Sequence, residues 1–509
     1  MVHARPRAHH DAPEPTIATT HSPGPLLQST RPPRTPEVPT AARSGRTPAA
    51  VVLVPVALAL VLGLWGIRRG GSMWRDEAVT CDIAQRTLPD LWATLSHADA
   101  VHGLYYLLLH GLFRASAVSG GADPLLVLRL PSLLATVAAT GTLALLGHRL
   151  AGPRAGLLSG VVFALLPPVQ RYAQEGRSYA LVCALVVWAS YLLVRAIHTR
   201  TGRAWLAYGA VASGACLLHE FAVLALAAHL VALPASARRA GVRAMAAVCV
   251  CLAPLVVLSM RQSDQVAWIG GVGAGALVGF AGVTVLGVAC AALLGRTRLT
   301  ALALPLLVLP PLLLLLLSLV KPLYVDRYVL YAHAGTALLV GAALDRLLRA
   351  GGRIRTVAVL AAGVAVLSLL PMTLDLRTPH SRTDDVAAVA DAVRSAGSGA
   401  DGVLFMPSRR RVWSLPDPAP FHGLRDLALD RTPSASHTLY GTEVSPSVIR
   451  ARMLASPRIV ALRDPAGQPV DRTAQEDVKR RVLARYFVAC HTRRVQGARV
   501  SVYARPGRC

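Results

Sequence analysis

From residue 49 onward the chain returns repeatedly to apolar runs of bilayer-spanning character, and that repetition narrows the fold more than any motif does. The first, Ala49 to Ile67 (AAVVLVPVALALVLGLWGI), is long enough to cross a hydrocarbon core of about 30 Å. Others lie at roughly 127–148, 155–169, 178–197, 204–218, 221–236, 244–260, 273–294, 301–320, 329–348 and 355–371. Together they predict about eleven spans, some of them short or interrupted by Pro. Of the 509 residues, 53% are hydrophobic and only 16% charged, with a mean hydropathy of +0.47. Soluble domains carry about 25% charged residues, so this composition is that of a polytopic membrane protein.

The formal charge of +26 does not make the chain a nucleic-acid binder. Lys is confined to Lys321 and Lys479, and the abundant Arg goes with heavy Ala, Leu, Gly and Pro use, a pattern typical of a GC-rich coding sequence. The Arg residues also collect between apolar runs, where the positive-inside rule places them. The eight Cys show no C-x-x-C spacing; Cys183, Cys216, Cys249, Cys251 and Cys290 fall in apolar runs as small core residues. Cys490 and Cys509 could pair if the tail is exported, which the sequence leaves open.

Residues 1–49 are rich in Pro, Thr, Ser and Arg and predict a disordered cytoplasmic tail. The topology then turns on HGLYYLLLHGLF, His102 to Phe113, which at about a dozen residues falls short of the roughly 17 a span needs. If it crossed, the basic loops 147–156 and 198–203 would face outward. If it lies in the outer interface, anchored by Tyr105 and Tyr106, those two loops and 237–243, 295–300 and 346–355 all become cytoplasmic. The second arrangement is adopted. It puts the loops carrying GSMWRDEAVTCD (71–82), QRYAQEGRSYA (170–180), HE (219–220), RQSDQVAWIGG (261–271) and KPLYVDRY (321–328) on the outer side. Residues 372–509 join them, with a helical pattern over 385–396 and strand-like runs at 401–407, 457–465 and 498–506, as in a small α/β domain.

One face thereby gathers Asp76, Glu77, His97, Asp99, His102, Arg171, Glu175, Arg177, His219, Glu220, Asp326 and Arg327. Charges at span ends face a bundle interior or a wet cavity. Guanidinium groups there suit a phosphate, and a carboxylate can take a proton from an attacking hydroxyl. Each motif alone also reads as ordinary structure: Asp76–Glu77 as a solvated helix end, RYAQEGR as a plain loop, His219–Glu220 as a hairpin tip. His110, His229 and His333 fall in apolar runs and read as packed. The signal is the coincidence on one face.

These residues resemble a known family. WRDEAVT after the first span is similar to the carboxylate-bearing first outer loop of the GT-C glycosyltransferases of family 39 and its bacterial relatives. That group includes protein O-mannosyltransferases, the lipid A aminoarabinose transferase and the RgtA/B/C/D-like proteins. HGLYYLLLHGLF resembles the juxtamembrane helix after that loop, residues 128–181 resemble the second and third spans with their Arg–Tyr–Ala–x–Glu–x–Arg–Ser–Tyr loop, and VDRYVLYAHAGTALLVGAAL (325–344) a later span. The similarity is collinear over roughly 50–350. Gln174–Glu175–Gly176–Arg177 departs from the Ser-Arg-Glu-Ala-Arg pattern frequent in relatives, which predicts a looser helix start, and the first outer loop carries no recognisable insert.

The resemblance implies an all-α polytopic membrane bundle of GT-C type with about eleven transmembrane helices and a small C-terminal α/β extracytoplasmic domain. The domains would be the tail 1–49, a transmembrane glycosyltransferase domain 50–371 with first outer loop 68–126 and juxtamembrane helix 102–114, and the soluble domain 372–509. The implied activity, at the outer face of the cell membrane, transfers a sugar, mannose by family frequency, from a polyprenyl-phosphate donor to a glycan, lipid or protein acceptor, with inversion. Asp76 would be the general base, supported by Glu77. Arg177, Arg327 and Arg171 are candidates for the leaving phosphate, Glu175 would orient one of them or the sugar, and His219 and Glu220, with His102 and Tyr105 of the juxtamembrane helix, would face the acceptor or shape its entrance. No cofactor is expected, a divalent cation at Asp76 being left open. Asp76, Glu77, Glu175 and Arg177 should converge on one outward-open cavity beneath the juxtamembrane helix. Two other readings stand beside this one: a lipid or sugar transporter, which calls for mid-span charges and paired repeats, and an inactive scaffold that binds through 372–509.

Overall fold

The computed structural model describes residues 48–263, 269–396 and 399–509. The predicted tail falls outside them apart from its last residues, as does the middle of the 261–271 loop. Thr47–Cys509 form one compact unit.

Each of the eleven apolar runs forms helix. They are α1 (Ala49–Leu64), α5 (Pro124–Ala151), α6 (Pro153–Leu165) with α7 (Pro167–Ala173), α8 (Tyr179–Thr199), α9 (Gly202–Leu218), α10 (Leu224–Val231), α11 (Arg238–Arg261), α12 (Ala274–Leu294), α13 (Arg298–Leu317), α14 (Ala332–Arg349) and α15 (Gly352–Asp375). Among the described residues seven helical stretches are long and apolar enough to cross a membrane; Pro153–Leu165 and Glu220–Val231 are apolar but shorter. α5 packs on α1, α6 and α8, and α14 on α6 and α13. Gly156 of α6 permits one of these approaches, because a β-carbon there would lie 2.4 Å from the Ala144 carbonyl oxygen of α5. Small residues let membrane helices close to this distance, where packing rather than water expulsion holds them.

Between α1 and α5 lie α2 (Arg75–Gln85), α3 (Leu88–His97) and α4 (Gly103–Val118). The first outer loop is therefore a folded three-helix layer rather than a plain turn. α1 ends, and α5 and α8 begin, beside the same cluster of polar side chains, so α4 does not cross. The turns after α5, α8, α12 and α14, and the one before α11, consequently lie at the far helix ends, and these carry all five Arg-rich loops.

Beyond α15 come α16 (Val386–Ala396), α17 (Pro446–Ala455) and α18 (Ala474–Tyr486). With them are the strands β1 (Gly402–Met406), β2 (Arg425–Asp426), β3 (Leu429–Arg431), β4 (Thr442–Glu443), β5 (Arg458–Arg463), β6 (Val488–Val495) and β7 (Ala498–Ala504). Five strands make one sheet in the order β2-β1-β5-β7-β6, with β1 parallel to β2 and β5 and the β5–β7–β6 edge antiparallel. A disulfide links Cys490 of β6 to Cys509.

The period of two along the strands gives the sheet two apolar faces. Leu404, Met406, Ile459 and Ala461 pack under α17 and α18. Val403, Phe405, Val460, Leu462 and Val500 instead share a core with α16 and with Val79, Ile83, Leu91, Leu95 and Tyr106 of the first outer loop. That core joins the two halves of the molecule. The polar seam matches it: Val386 N–H donates to the Met73 carbonyl at 3.1 Å, and Arg75 N–H donates to Asp384 Oδ1 at 3.0 Å.

Candidate active site

Trp74 is the N-cap of α2, which starts at Arg75 and so places Asp76 and Glu77 second and third in the helix. Successive helical residues point about 100° apart, so two adjacent carboxylates cannot share one surroundings here. Glu77 turns inward and is fully buried. Its Oε2 accepts from Arg69 Nη2 and Arg129 Nη2, each at 2.7 Å, and its Oε1 from Arg129 Nε at 2.8 Å and Gly176 N–H at 3.0 Å. Arg129 also donates to the Ile67 and Ser72 carbonyls, tying α1, α2, α5 and the loop before α8 together. Burial pushes the Glu77 carboxyl up, but the Arg129 and Arg69 guanidinium groups outweigh it and hold it at about 2. A carboxylate so engaged accepts no proton from a substrate.

Asp76 faces a cavity of about 990 Å³. Around its carboxylate stand Arg327 at 3.5 Å, Arg75 at 3.7 Å and Arg177 at 4.0 Å. Arg327 donates from Nε to the Tyr179 hydroxyl at 3.1 Å and lies against the rings of Trp74, Tyr179 and Tyr328. Arg177 donates to Thr80 Oγ1 at 3.1 Å and to the Tyr106 hydroxyl at 3.2 Å. Asp99, in the left-handed region at φ 57°, receives the Tyr106 hydroxyl and sits 3.1 Å from His102 Nδ1. Burial pushes the Asp99 carboxyl up, and His102 and Arg177 more than reverse that, so it is held below its ordinary range. Burial, with Arg177 nearby, pulls the His102 ring below its ordinary value. His219 completes an aromatic wall, 4.6 Å from Tyr328 and 5.6 Å from His102 between ring centres.

Thus Asp76, Asp99, His102, Arg177, His219, Glu220 and Arg327 line one cavity as the sequence suggested. The others do not reach it. Glu77 is the clamp just described, so the expected convergence of Asp76, Glu77, Glu175 and Arg177 holds only for Asp76 and Arg177. Glu175 is buried behind the wall, 3.5 Å from Arg382 Nε, and burial pushes its carboxyl up. Arg171 lies against the Tyr172 ring, and its carbonyl accepts from Arg382 Nη2 at 2.9 Å. Tyr105 is sealed in the bundle core. His97 folds back on the Ala93 carbonyl, and Asp326 faces the Tyr172 hydroxyl outside the cavity. The loop at Gly176 is not loose: a β-carbon there would lie 2.2 Å from Leu128 Cγ, so the departure from the relatives' Ala accompanies a tighter seat.

Arg69, Arg129, Arg382, Asp384, Arg409 and Tyr440 were not singled out from sequence. Arg129 alone had a local signal, a charge inside an apolar run, which in membrane helices marks a buried partner. Among the described residues no three His, Cys, Asp or Glu side chains are grouped so as to hold a metal.

This multi-pass membrane chain is thus a bundle whose polar end closes a carboxylate–guanidinium cavity under a folded first outer loop, a fold it shares with ArnT. Residues 116–262 match the family model for dolichyl-phosphate-mannose-protein mannosyltransferase. The crystal structure of ArnT from Cupriavidus metallidurans in the apo state superposes with a TM-score of 0.55 at 13% identity, covering 89% of this chain and 97% of that one. The same protein bound to undecaprenyl phosphate gives a TM-score of 0.50 at 14% identity, with the same coverage. No curated protein matches the chain in sequence.

Proposed function

We propose that the protein transfers a sugar, mannose in the first instance, from a polyprenyl-phosphate donor to an acceptor hydroxyl, with inversion. The observation that carries this reading is the Asp76 carboxylate facing Arg327 and Arg177 at 3.5 and 4.0 Å across a large cavity. ArnT binds undecaprenyl phosphate in its structure, and two guanidinium groups beside a carboxylate are the chemistry such a donor requires.

Asp76 takes the proton as the acceptor oxygen attacks the anomeric carbon. The bond from that carbon to the phosphate oxygen breaks on the opposite face, and its electron pair leaves with the lipid phosphate. Arg327 and Arg177 meet the charge that develops there, the moment at which a preorganised cation is worth most. Glu77 acts through the helix as a positioning residue, and Glu175 with Arg382 braces the loop that carries Arg177. No metal enters this scheme, because the guanidinium groups supply the positive charge.

The five Arg-rich loops at the far helix ends put that end in the cytoplasm by the positive-inside rule. The N-terminus then lies inside, and the cavity and residues 372–509 lie outside the cell membrane. The Cys490–Cys509 disulfide fits an oxidising compartment.

The test is sugar release from radiolabelled polyprenyl-phosphate mannose by membranes carrying wild type or Asp76→Asn. Loss of turnover in the variant at equal expression supports the scheme; equal turnover in both sinks it. Turnover in neither, followed by success with another lipid-phosphate sugar, would correct the donor. A chelator is expected to leave the rate unchanged.

A further inference from the structure

The cavity has a second wall that the transfer scheme does not use. It comes from the soluble half: Arg409 and Arg410 on the 3-10 turn Ser408–Ser414, Leu439 and Tyr440 on the loop before β4, and the 468–471 loop. Tyr440 lines the same cavity as Asp76 and Asp99, and burial, followed by the negative charges of these two carboxylates, pushes its hydroxyl up.

The loop carrying Tyr440 is held from both sides. The Tyr440 carbonyl accepts from Arg411 Nη1 at 2.6 Å, and buried Arg411 is itself pinned by Asp426 at 2.7 Å and Glu443 at 3.0 Å. Glu443 continues to Lys479 Nζ at 2.8 Å, a fully buried ammonium that also donates to Glu476 and the Phe405 carbonyl. From the membrane half, Arg86 Nη2 reaches the Thr438 carbonyl at 3.0 Å while bonded to Asp82 and Thr94. Buried ionic networks contribute little net stability, and their best-attested use is to specify one geometry. Here both networks end on the backbone of residues 438–440.

We infer that Tyr440 is an acceptor-contacting residue, the aromatic platform of a subsite for a carbohydrate acceptor formed with Arg409 and the 468–471 loop. This rests on the transferase reading above. With the donor phosphate at Arg177 and Arg327, the apolar side of the cavity (Phe221, Val256, Leu317) takes the lipid. The acceptor hydroxyl must then reach Asp76 from the remaining side, which is the soluble wall. Tyr440, Arg409, Gln468 and Asp471 share this wall, which brings an aromatic ring for a sugar's C–H face and polar side chains for its hydroxyls to one side of the cavity. One recurrent way to hold an extended peptide is main-chain pairing at a strand edge, and the soluble-half residues on this wall all lie outside the strands.

The experiment uses the full chain. Label transfer from polyprenyl-phosphate [14C]mannose into the host's own envelope membranes is measured for wild type, Tyr440→Ala and Tyr440→Phe, and undecaprenyl phosphate binding is measured on each purified protein. The inference expects Tyr440→Ala to cut transfer about tenfold or more with the lipid-phosphate Kd within about twofold, Tyr440→Phe to keep most activity, and the labelled product to resist protease. Unchanged transfer in Tyr440→Ala, a parallel loss of lipid-phosphate binding, equal loss in Tyr440→Phe, or label released by protease would each overturn it. A wild type that binds the lipid phosphate but transfers neither mannose nor any other lipid-phosphate sugar would instead remove the transferase reading on which it rests.

Discussion

Asp76 and Glu77 are neighbours in the chain and opposites in the fold. Around Glu77 every carboxylate oxygen is engaged at 2.7–3.0 Å by Arg69, Arg129 and Gly176, with no solvent access. Around Asp76 the cations stand off at 3.5–4.0 Å across an open volume. Close, saturated partners make a structural joint; loosely held charges in a cavity leave room for a substrate. One residue step separates the two roles, because adjacent positions on α2 diverge by about 100°.

The largest expected effect falls on the open side. Asp76→Asn should lower kcat by about 10² to 10⁴, the range of a lost general base, while thermal unfolding in detergent stays near wild type. Arg327→Gln should come next, about 10² to 10³ in kcat, from the loss of a donor aimed at the leaving phosphate. The closed side should show the reverse pattern. Glu77→Gln leaves Arg69 and Arg129 buried without their counter-charge, a cost of about 3–5 kcal/mol, seen as a lower unfolding temperature and poor yield. Were Glu77→Gln stable but inactive, the contrast between the two carboxylates would collapse.

A smaller effect is expected at Gly176→Ala, where Leu128 must shift: about 1–3 kcal/mol of overpacking, together with reduced turnover because Arg177 follows in the chain. The smallest concerns pH. The Glu77 carboxyl is depressed to about 2 when folded, so its stabilisation is complete above the ordinary carboxylate range and disappears as pH falls through about 2. Between about pH 7 and pH 5 the clamp should contribute no slope to thermal stability, so the wild-type and Glu77→Gln unfolding curves should keep a constant separation there.

Much of the membrane half was legible from the chain alone. Length and hydropathy are local properties, so all eleven apolar runs could be read as helices, and the shortness of His102–Phe113 was the ground for expecting that α4 does not span. The three strand-like runs at 401–407, 457–465 and 498–506 correspond to β1, β5 and β7. β6 escaped because its residues are mostly exposed, which leaves no alternating apolar pattern to read. Gathering Asp76, Arg177, His219 and Arg327 on one face needed only the topology of the spans, since each sits at the same end of its helix.

What the sequence by itself determined was therefore the set of elements and the side of the bundle on which the polar residues collect. Only the tertiary structure decided that Glu77 turns from the cavity, that Arg382 rather than Arg177 reaches Glu175, and that Arg409 and Tyr440 close the site from more than three hundred residues away. It also decided that one face of the C-terminal sheet shares its core with the first outer loop. The physical reason is the same in each case. Helix and strand patterns record which residues must leave water, but a charge's partner is set by which helix faces pack together, and contacts between distant segments leave no period in a single chain.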